Sequence, residues 1–177
     1  MAKNNEILEA LRHSRHDWLN VLQLIKSNLA LKKYDRIDEI ISQSVQQSVN
    51  ASKLSNLGIP RLATHLLTYN WQNNKMKLEV NVIGDERDLQ AYEYSLEVIC
   101  FQVLSLFNSN SVWTTENQLL LTFILKNHEC ELLFDFEGQL KIEEKQLEEF
   151  LSLQVPIITE VEWGKDTCFL KASVELN

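Results

Sequence analysis

The chain predicts an α+β protein: an N-terminal long helical hairpin that dimerises into a four-helix bundle, followed by a small α/β sandwich. Three observations predict it. Apolar residues in the first 57 positions recur on three- and four-residue steps, the period of bundled helices. After Pro60 the pattern changes, and segments of strict alternation, the period of half-buried strands, appear at Met76 to Val82, Leu119 to Leu125 and Cys130 to Phe136. Between the two regions Gly58 supplies a helix stop and Pro60 blocks continuation, so Leu57 to Arg61 is the one convincing boundary. With 177 residues, 45% hydrophobic and 24% charged, the chain can bury a core and has the composition of a folded protein.

The first helix is expected to begin at Asn4 or Asn5, where an Asn cap followed by Glu6 and Glu9 complements the helix dipole, and to end near Lys32 and Lys33. Leu8, Leu11, Trp18, Leu22, Ile25 and Leu29, with Arg15 the one interruption, form its buried a/d row, which makes Trp18 a core residue. A second row obeys the same steps: Glu6, Glu9, His13, His16, Asn20, Gln23, Ser27 and Ala30, all polar or small. Tyr34-Asp35 reads as a tight connection, with Asp35 capping a second helix that carries Ile37, Ile40, Ile41, Val45 and Val49. Each helix of such a pair covers only one side of the other. Self-association about a twofold axis buries what remains, and a homodimer is expected.

Leu62, Leu66, Leu67 and Trp71 suggest a shorter helix, and Met76, Leu78, Val80 and Val82 a strand ending at Gly84-Asp85. Ala91 to Phe107 is helical in spacing. Leu119 to Leu125 and Cys130 to Phe136 alternate about an Asn127-His128 turn. Glu143 to Leu153 reads as a short acidic helix. Val155 to Glu162 and Thr167 to Leu176 form a second hairpin turned at Gly164-Lys165-Asp166, so the second half is a small sheet with helices on one face.

Charge and composition exclude several functions. A net charge of −8 argues against nucleic acid as the main partner. Residues 1–36 hold seven Lys or Arg against four Asp or Glu, a balance of +3, leaving ten against twenty-one, or −11, elsewhere. The first helix is thus a basic element on an acidic protein, suited to an acidic or phosphorylated partner. No stretch has the length to span a bilayer, and no membrane partner is expected. Cys100, Cys130 and Cys168 are an odd number without zinc-type spacing, which fits reduced, buried thiols in a cytoplasmic protein.

The polar row puts His16 on a wet helix face. A metal site is disfavoured, because His13 shares that face but only Asp17 is near and no third ligand is well placed. General-base chemistry needs a water-excluding cleft that a helix surface lacks. A nucleophile that must meet phosphorus in line needs only open access on a rigid element, which this face supplies. Arg12, one turn earlier, can balance charge on a phosphoryl group, and Asn20, one turn later, can hydrogen-bond to it or to the partner. Asp17 points away by a third of a turn, either steering the imidazole tautomer or simply solvated. An ordinary surface histidine is the alternative.

The run His16-Asp17-Trp18-Leu19-Asn20, followed by Leu22-Gln23-Leu24-Ile25-Lys26 and Lys33-Tyr34-Asp35-Arg36, resembles the phospho-acceptor hairpin of the sporulation initiation phosphotransferase B family. Ser52 to Leu57, Leu67 to Trp71 and the order of later elements extend the resemblance over nearly the whole chain. The resemblance implies a dimeric phosphorelay intermediate. Its histidine, falling on His16, takes a phosphoryl group from the aspartate of one response-regulator receiver and passes it to a second, controlling initiation of sporulation. Residues 1–57 then carry dimerisation and phosphotransfer. Residues 58–177 resemble a degenerate histidine-kinase ATP-binding domain. No cofactor is expected on this chain, and magnesium comes from the receiver. His13, Arg12, Asn20, Gln23 and the Leu19 edge form the docking surface around His16.

The His-Asp-aromatic-x-Asn core is shared with citrate- and malate-type sensor histidine kinases, which keeps such a kinase open as an alternative, beside a non-catalytic dimeric coiled-coil adaptor. Against ATP use stand the glycines: Gly58, Gly84, Gly138 and Gly164 are scattered, whereas phosphate-cradling loops need them clustered. Asp135 to Gly138 is at best a broken adenine-reading turn, and Asn108 and Asn110 read as helix-end residues. His65, His128 and Trp71 read as structural.

Overall fold

The computed structural model describes residues 2–142, 144–154, 157–164 and 166–176, with side chains for all of these except 2–4, 6, 144, 153 and 154. Two compact units emerge, Met1–Val49 and Asn50–Asn177. The division falls inside the second helix, because the last turns of that helix, through Leu54, join the core of the second unit.

Helix α1 spans Ala2–Ala30 and α2 spans Tyr34–Ser55, the helical hairpin that the periodicity predicts. Its ends differ from expectation. Backbone is already helical at Ala2, so neither Asn4 nor Asn5 caps it. It stops at Ala30, short of Lys32 and Lys33, because Lys32 takes a left-handed φ of 55°. The Lys33 N–H donates to the Asn28 carbonyl (2.9 Å) and the Lys32 N–H to that of Leu29 (3.0 Å), the paired bonds of a Schellman stop with lysine where glycine is usual. The connection is therefore Leu31 to Lys33 and not Tyr34-Asp35. The Ile37 N–H donates to the Lys33 carbonyl (3.2 Å), which places Asp35 inside the first turn, its charge complementing the dipole, and not at the cap.

The a/d row is not buried within one chain. Leu8, Leu11, Trp18, Leu22 and Leu29 are each more than half exposed, and Ile25 is half-buried. On α2 only Ile40 is buried among Ile37, Ile40, Ile41, Val45 and Val49. Trp18 is accordingly a surface side chain in the single chain.

In the second unit, Gly58 (φ 71°) ends the helical run; a Cβ there would stand 2.2 Å from Asp88 Oδ1, so the stop depends on glycine. Pro60 opens α3, Pro60–Thr68, whose missing N–H costs nothing at that position. A 3-10 turn, Tyr69–Trp71, follows, with Trp71 half-buried, while Leu67 stays partly exposed. Strand β1 is Lys77–Ile83, and Met76, expected within it, is buried just ahead of it. A 3-10 turn at Gln90–Tyr92 replaces the expected helical start at Ala91 and leads into α4, Glu93–Asn110. Strands β2, Gln118–Leu125, and β3, Glu129–Glu137, form the expected hairpin, closed by the Lys126 N–H on the Glu129 carbonyl (2.9 Å). Helix α5 is Glu144–Gln154, and the last hairpin pairs β4, Ile158–Trp163, with β5, Thr167–Glu175. Glu143, Val155, Pro156 and Lys165, which the sequence assigns to these elements, lie outside the described residues.

The sheet runs β1-β2-β3-β5-β4, antiparallel except for the β1–β2 pair. Parallel pairing of β1 with β2 requires a crossover, and α4 lies within that connection. One parity of each of β1, β2, β3 and β5 fills the core: Leu78 and Val82, Leu119 to Leu125, Cys130 to Phe136, and Cys168 to Ala172, with Ile158 and Val161 of β4 packed against it. Against it pack Leu62 and Leu66 of α3 and Leu96, Cys100, Val103 and Phe107 of α4, with Phe107 stacked on Phe136 at 5.1 Å. All three cysteines are free and buried, and burial pushes the Cys130 and Cys168 thiols up to about 12.

The outer edge of β1 is closed by asparagines. Asn70 accepts from the Leu78 N–H (2.9 Å) and donates to its carbonyl (2.7 Å), as a neighbouring strand would. Asn50 accepts from the Val82 N–H (3.4 Å) and donates to Asn81 Oδ1 (2.7 Å), while Lys53 reaches the Val82 carbonyl (3.3 Å).

Candidate active site

Helix α1 contains no glycine or proline, so Arg12 to Gln23 is uninterrupted helix and positions 12, 13, 16, 20 and 23 lie on successive turns. The His16 side chain is 72% exposed, a value that leaves its ring open to another protein. Nδ1 of that ring lies 3.3 Å from Asn20 Nδ2 and 3.5 Å from Asp17 Oδ1. Asp17 thus does not point away as helical spacing suggests: its carboxylate swings back to the same nitrogen. Both contacts use Nδ1, and Nε2 has no partner among the described residues.

These two neighbours ask for different tautomers. Asn20 Nδ2–H donates only to a bare Nδ1, which places the ring proton on Nε2. Asp17, at ion-pair distance, favours by its charge a proton on Nδ1, which leaves Nε2 its lone pair. Only the second form is nucleophilic at Nε2, so a carboxylate beside Nδ1 favours the reactive tautomer.

Of the other residues that the sequence singles out, Arg12, Leu19 and Gln23 are exposed and His13 is half-buried. Arg12 makes no hydrogen bond or ion pair among the described residues. The structure therefore brings Asp17 and Asn20 to His16 and leaves Arg12, His13, Leu19 and Gln23 as neighbours along the helix. No group of three or more His, Cys, Asp or Glu among the described residues is arranged to hold a metal ion, and no helix there is long and apolar enough to cross a membrane.

In the second unit the residues nearest in sequence to a kinase pattern are engaged in structural bonds. Asn108 Oδ1 accepts from the Lys75 N–H (2.7 Å), and Asn110 Nδ2 donates to the Leu106 carbonyl (2.8 Å), so both tie down the end of α4. Asn117, for which the sequence gives no signal, is a buried hub. Its amide donates to the carbonyls of Lys75 and Val112 (2.9 Å each), and its oxygen accepts from the Gln139 N–H (3.0 Å). At Gly138 (φ 141°) a Cβ would meet Asn117 Oδ1 at 2.3 Å, so this glycine serves the close approach of the hub. His65, read as structural, is half-buried against Phe101 (4.3 Å between ring centroids). Burial lowers its pKa, and Glu97 partly offsets that.

Comparison with known proteins identifies the family. Residues 58–175 match the family model described as sporulation initiation phospho-transferase B, C-terminal, and residues 1–57 match that of the sensor-kinase SpoOB-type alpha-helical domain. The sporulation initiation phosphotransferase B of Bacillus subtilis (strain 168) is 42% identical over 139 residues, 77% of this chain and 72% of that protein. The chain belongs to the sporulation initiation phosphotransferase B family. Among solved structures it is similar to the Acinetobacter baumannii histidine kinase AdeS, with 11% identity, a TM-score of 0.49, and 92% of this chain and 98% of that one covered. It is also similar to the histidine kinase ThkA, solved in complex with the response regulator protein TrrA, with 11% identity, a TM-score of 0.47, and coverage of 99% and 64%.

Proposed function

We propose that this member of the family is a phosphorelay phosphotransferase whose His16 accepts a phosphoryl group from the aspartyl phosphate of one response-regulator receiver and delivers it to a second, in the control of sporulation. The observation that carries this reading is the open Nε2 of an exposed histidine whose Nδ1 has a carboxylate 3.5 Å away. As the Nε2–P bond forms, the P–O bond to the receiver's aspartate breaks and that carboxylate leaves with the electron pair. The ring, still protonated at Nδ1, gains positive charge, and Asp17 stabilises it. A loose transition state asks mainly for alignment, so one nitrogen and its orienting carboxylate suffice on this side. The divalent cation belongs to the receiver's acidic pocket. Arg12, His13, Leu19, Asn20 and Gln23 form the docking surface, whose basic balance orients the acidic partner.

The exposed apolar row of α1 is covered, in this reading, by a second copy, making a homodimeric four-helix bundle of the helical segment 1–57, with 58–177 as the appended α/β domain. The test incubates the protein with radiolabelled ATP alone and, separately, with a labelled phosphorylated receiver, His16→Gln in parallel. Alkali-stable, acid-labile label from the receiver only, absent in the variant, is the expected result. Label from ATP alone sinks the reading in favour of a sensor kinase, and unchanged labelling of His16→Gln removes His16 from it.

A further inference from the structure

The five-stranded sheet has two faces, and the core uses one. By their register the core residues of β1, β2, β3 and β5 all lie on one face, and Phe150 and Leu151 of α5 pack against the same core as α3 and α4. On the opposite face, Ile83 is 53% exposed, and Ile124, Leu133 and Phe169 are half-buried. These four step one strand at a time across β1, β2, β3 and β5. Ile83 pairs directly with Ile124, while Leu133 and Phe169 each lie two residues along from the direct partner, Glu131 and Lys171 respectively. At about 4.8 Å per strand and 3.4 Å per residue the result is a diagonal apolar stripe roughly 20 Å long, the length of a helix of about 13 residues.

The surroundings of the stripe carry one sign. Strand positions on this face hold eight carboxylates against two lysines, Lys77 and Lys171, a balance of −6. Lys171 is already taken: Glu131 is held between it (2.6 Å) and Lys126 (2.8 Å). Asp135 pairs across the sheet with Phe169, as does Glu162 from the other side, and Glu160 pairs with Lys171 in the register. All three carboxylates are exposed, and none forms an ion pair among the described residues.

We propose that this face docks a basic amphipathic helix of a partner protein, its apolar row on the stripe and its Lys or Arg side chains on Asp135, Glu160 and Glu162. Charge selects the occupant. A second copy meeting the same face about a twofold axis would set −6 against −6, and anionic lipid or nucleic acid is repelled by the same field.

The test titrates the isotope-labelled full chain with a 13-residue Leu/Lys amphipathic peptide, and with the same peptide carrying Glu for Lys, followed by NMR. The Lys peptide should shift resonances of Ile83, Ile124, Leu133 and Phe169 and the Glu peptide should not. Glu160→Lys combined with Glu162→Lys should weaken binding about tenfold or more, while Glu148→Lys, exposed on α5, leaves it unchanged; thermal melts establish that each variant is folded. Shifts confined to other surfaces, no binding, or equal weakening by Glu148→Lys would overturn the proposal. So would concentration-dependent shifts at the stripe without peptide, which would assign the face to a second copy.

Discussion

The two units of this chain solve the problem of apolar surface in opposite ways. In the second, four phenylalanines, Phe107, Phe123, Phe134 and Phe136, are fully buried in one core. In the first, Ile40 is the one buried hydrophobic residue among those described, and leucines at 8, 11, 22 and 29 face outward. A unit that fills its own core folds alone. A unit that leaves a heptad row uncovered exposes the surface that a second copy covers in the proposed reading, and His16, the proposed phospho-acceptor, sits on that unit, on the face that carries the polar row.

That contrast can be broken at either end. The largest expected effect is chemical: His16→Gln abolishes acid-labile label from a phosphorylated receiver while circular dichroism stays unchanged, since an exposed side chain contributes little to stability. Next in size, Phe107→Ala removes the ring stacked on Phe136 and should destabilise the second unit by about 3–5 kcal/mol, read from the urea midpoint. Leu22→Glu, at an exposed position in the uncovered row, should leave the second unit's melting unchanged and convert a dimer to a monomer in sedimentation; a dimer that survives removes the seam as its interface. Asp17→Asn should slow phosphoryl acceptance about tenfold, because a neutral amide holds Nδ1–H less strongly than a carboxylate. If both rates agree, Asp17 is merely solvated.

The smallest effect is a pH dependence. Hydrogen bonds from Lys126 and Lys171 hold the Glu131 carboxyl down at about 2, against its ordinary value of 4.5. A lowered folded-state pKa means stability present above 4.5 and lost as the pH falls towards 2. Glu131→Gln should flatten the melting temperature across that window without altering the helical unit.

How much of this was legible differs between the units for a physical reason. Alternation at Leu119 to Phe136 marks the central hairpin because both strands have one buried and one wetter face, and period 2 survives in the letters. The hairpin of helices was equally plain, but its ends were not, since Lys32 adopts a conformation that sequence expects of glycine. Strand order was invisible: β1 beside β2 and β5 beside β3 are long-range pairings that no local pattern encodes. At the candidate site the polar row marked a wet face shared by His13 and His16, the family resemblance chose His16 between them, and the one-turn spacing of Asn20 matches its contact with the His16 ring. Asp17 was misplaced because helical geometry fixes where Cβ points and not where a carboxylate swings. Asn50, Asn70 and Asn117 carried no signal, since a buried asparagine and a solvated one are written with the same letter.

The asparagine-sealed edge of β1 has a consequence for how this protein can associate. An open strand edge recruits any extended segment, and crowded copies then stack by strand addition. With Asn50 and Asn70 bonded to Val82 and Leu78, that edge offers these backbone groups to no newcomer. At the far edge β4 carries Glu160 and Glu162 and an irregular register between Ile158 and Glu160, which discourages the same event. Amyloid-like growth is thereby resisted at both ends of the sheet, and the self-association proposed for the helical segment, made by side chains on helices, can be made and undone without rearranging any backbone.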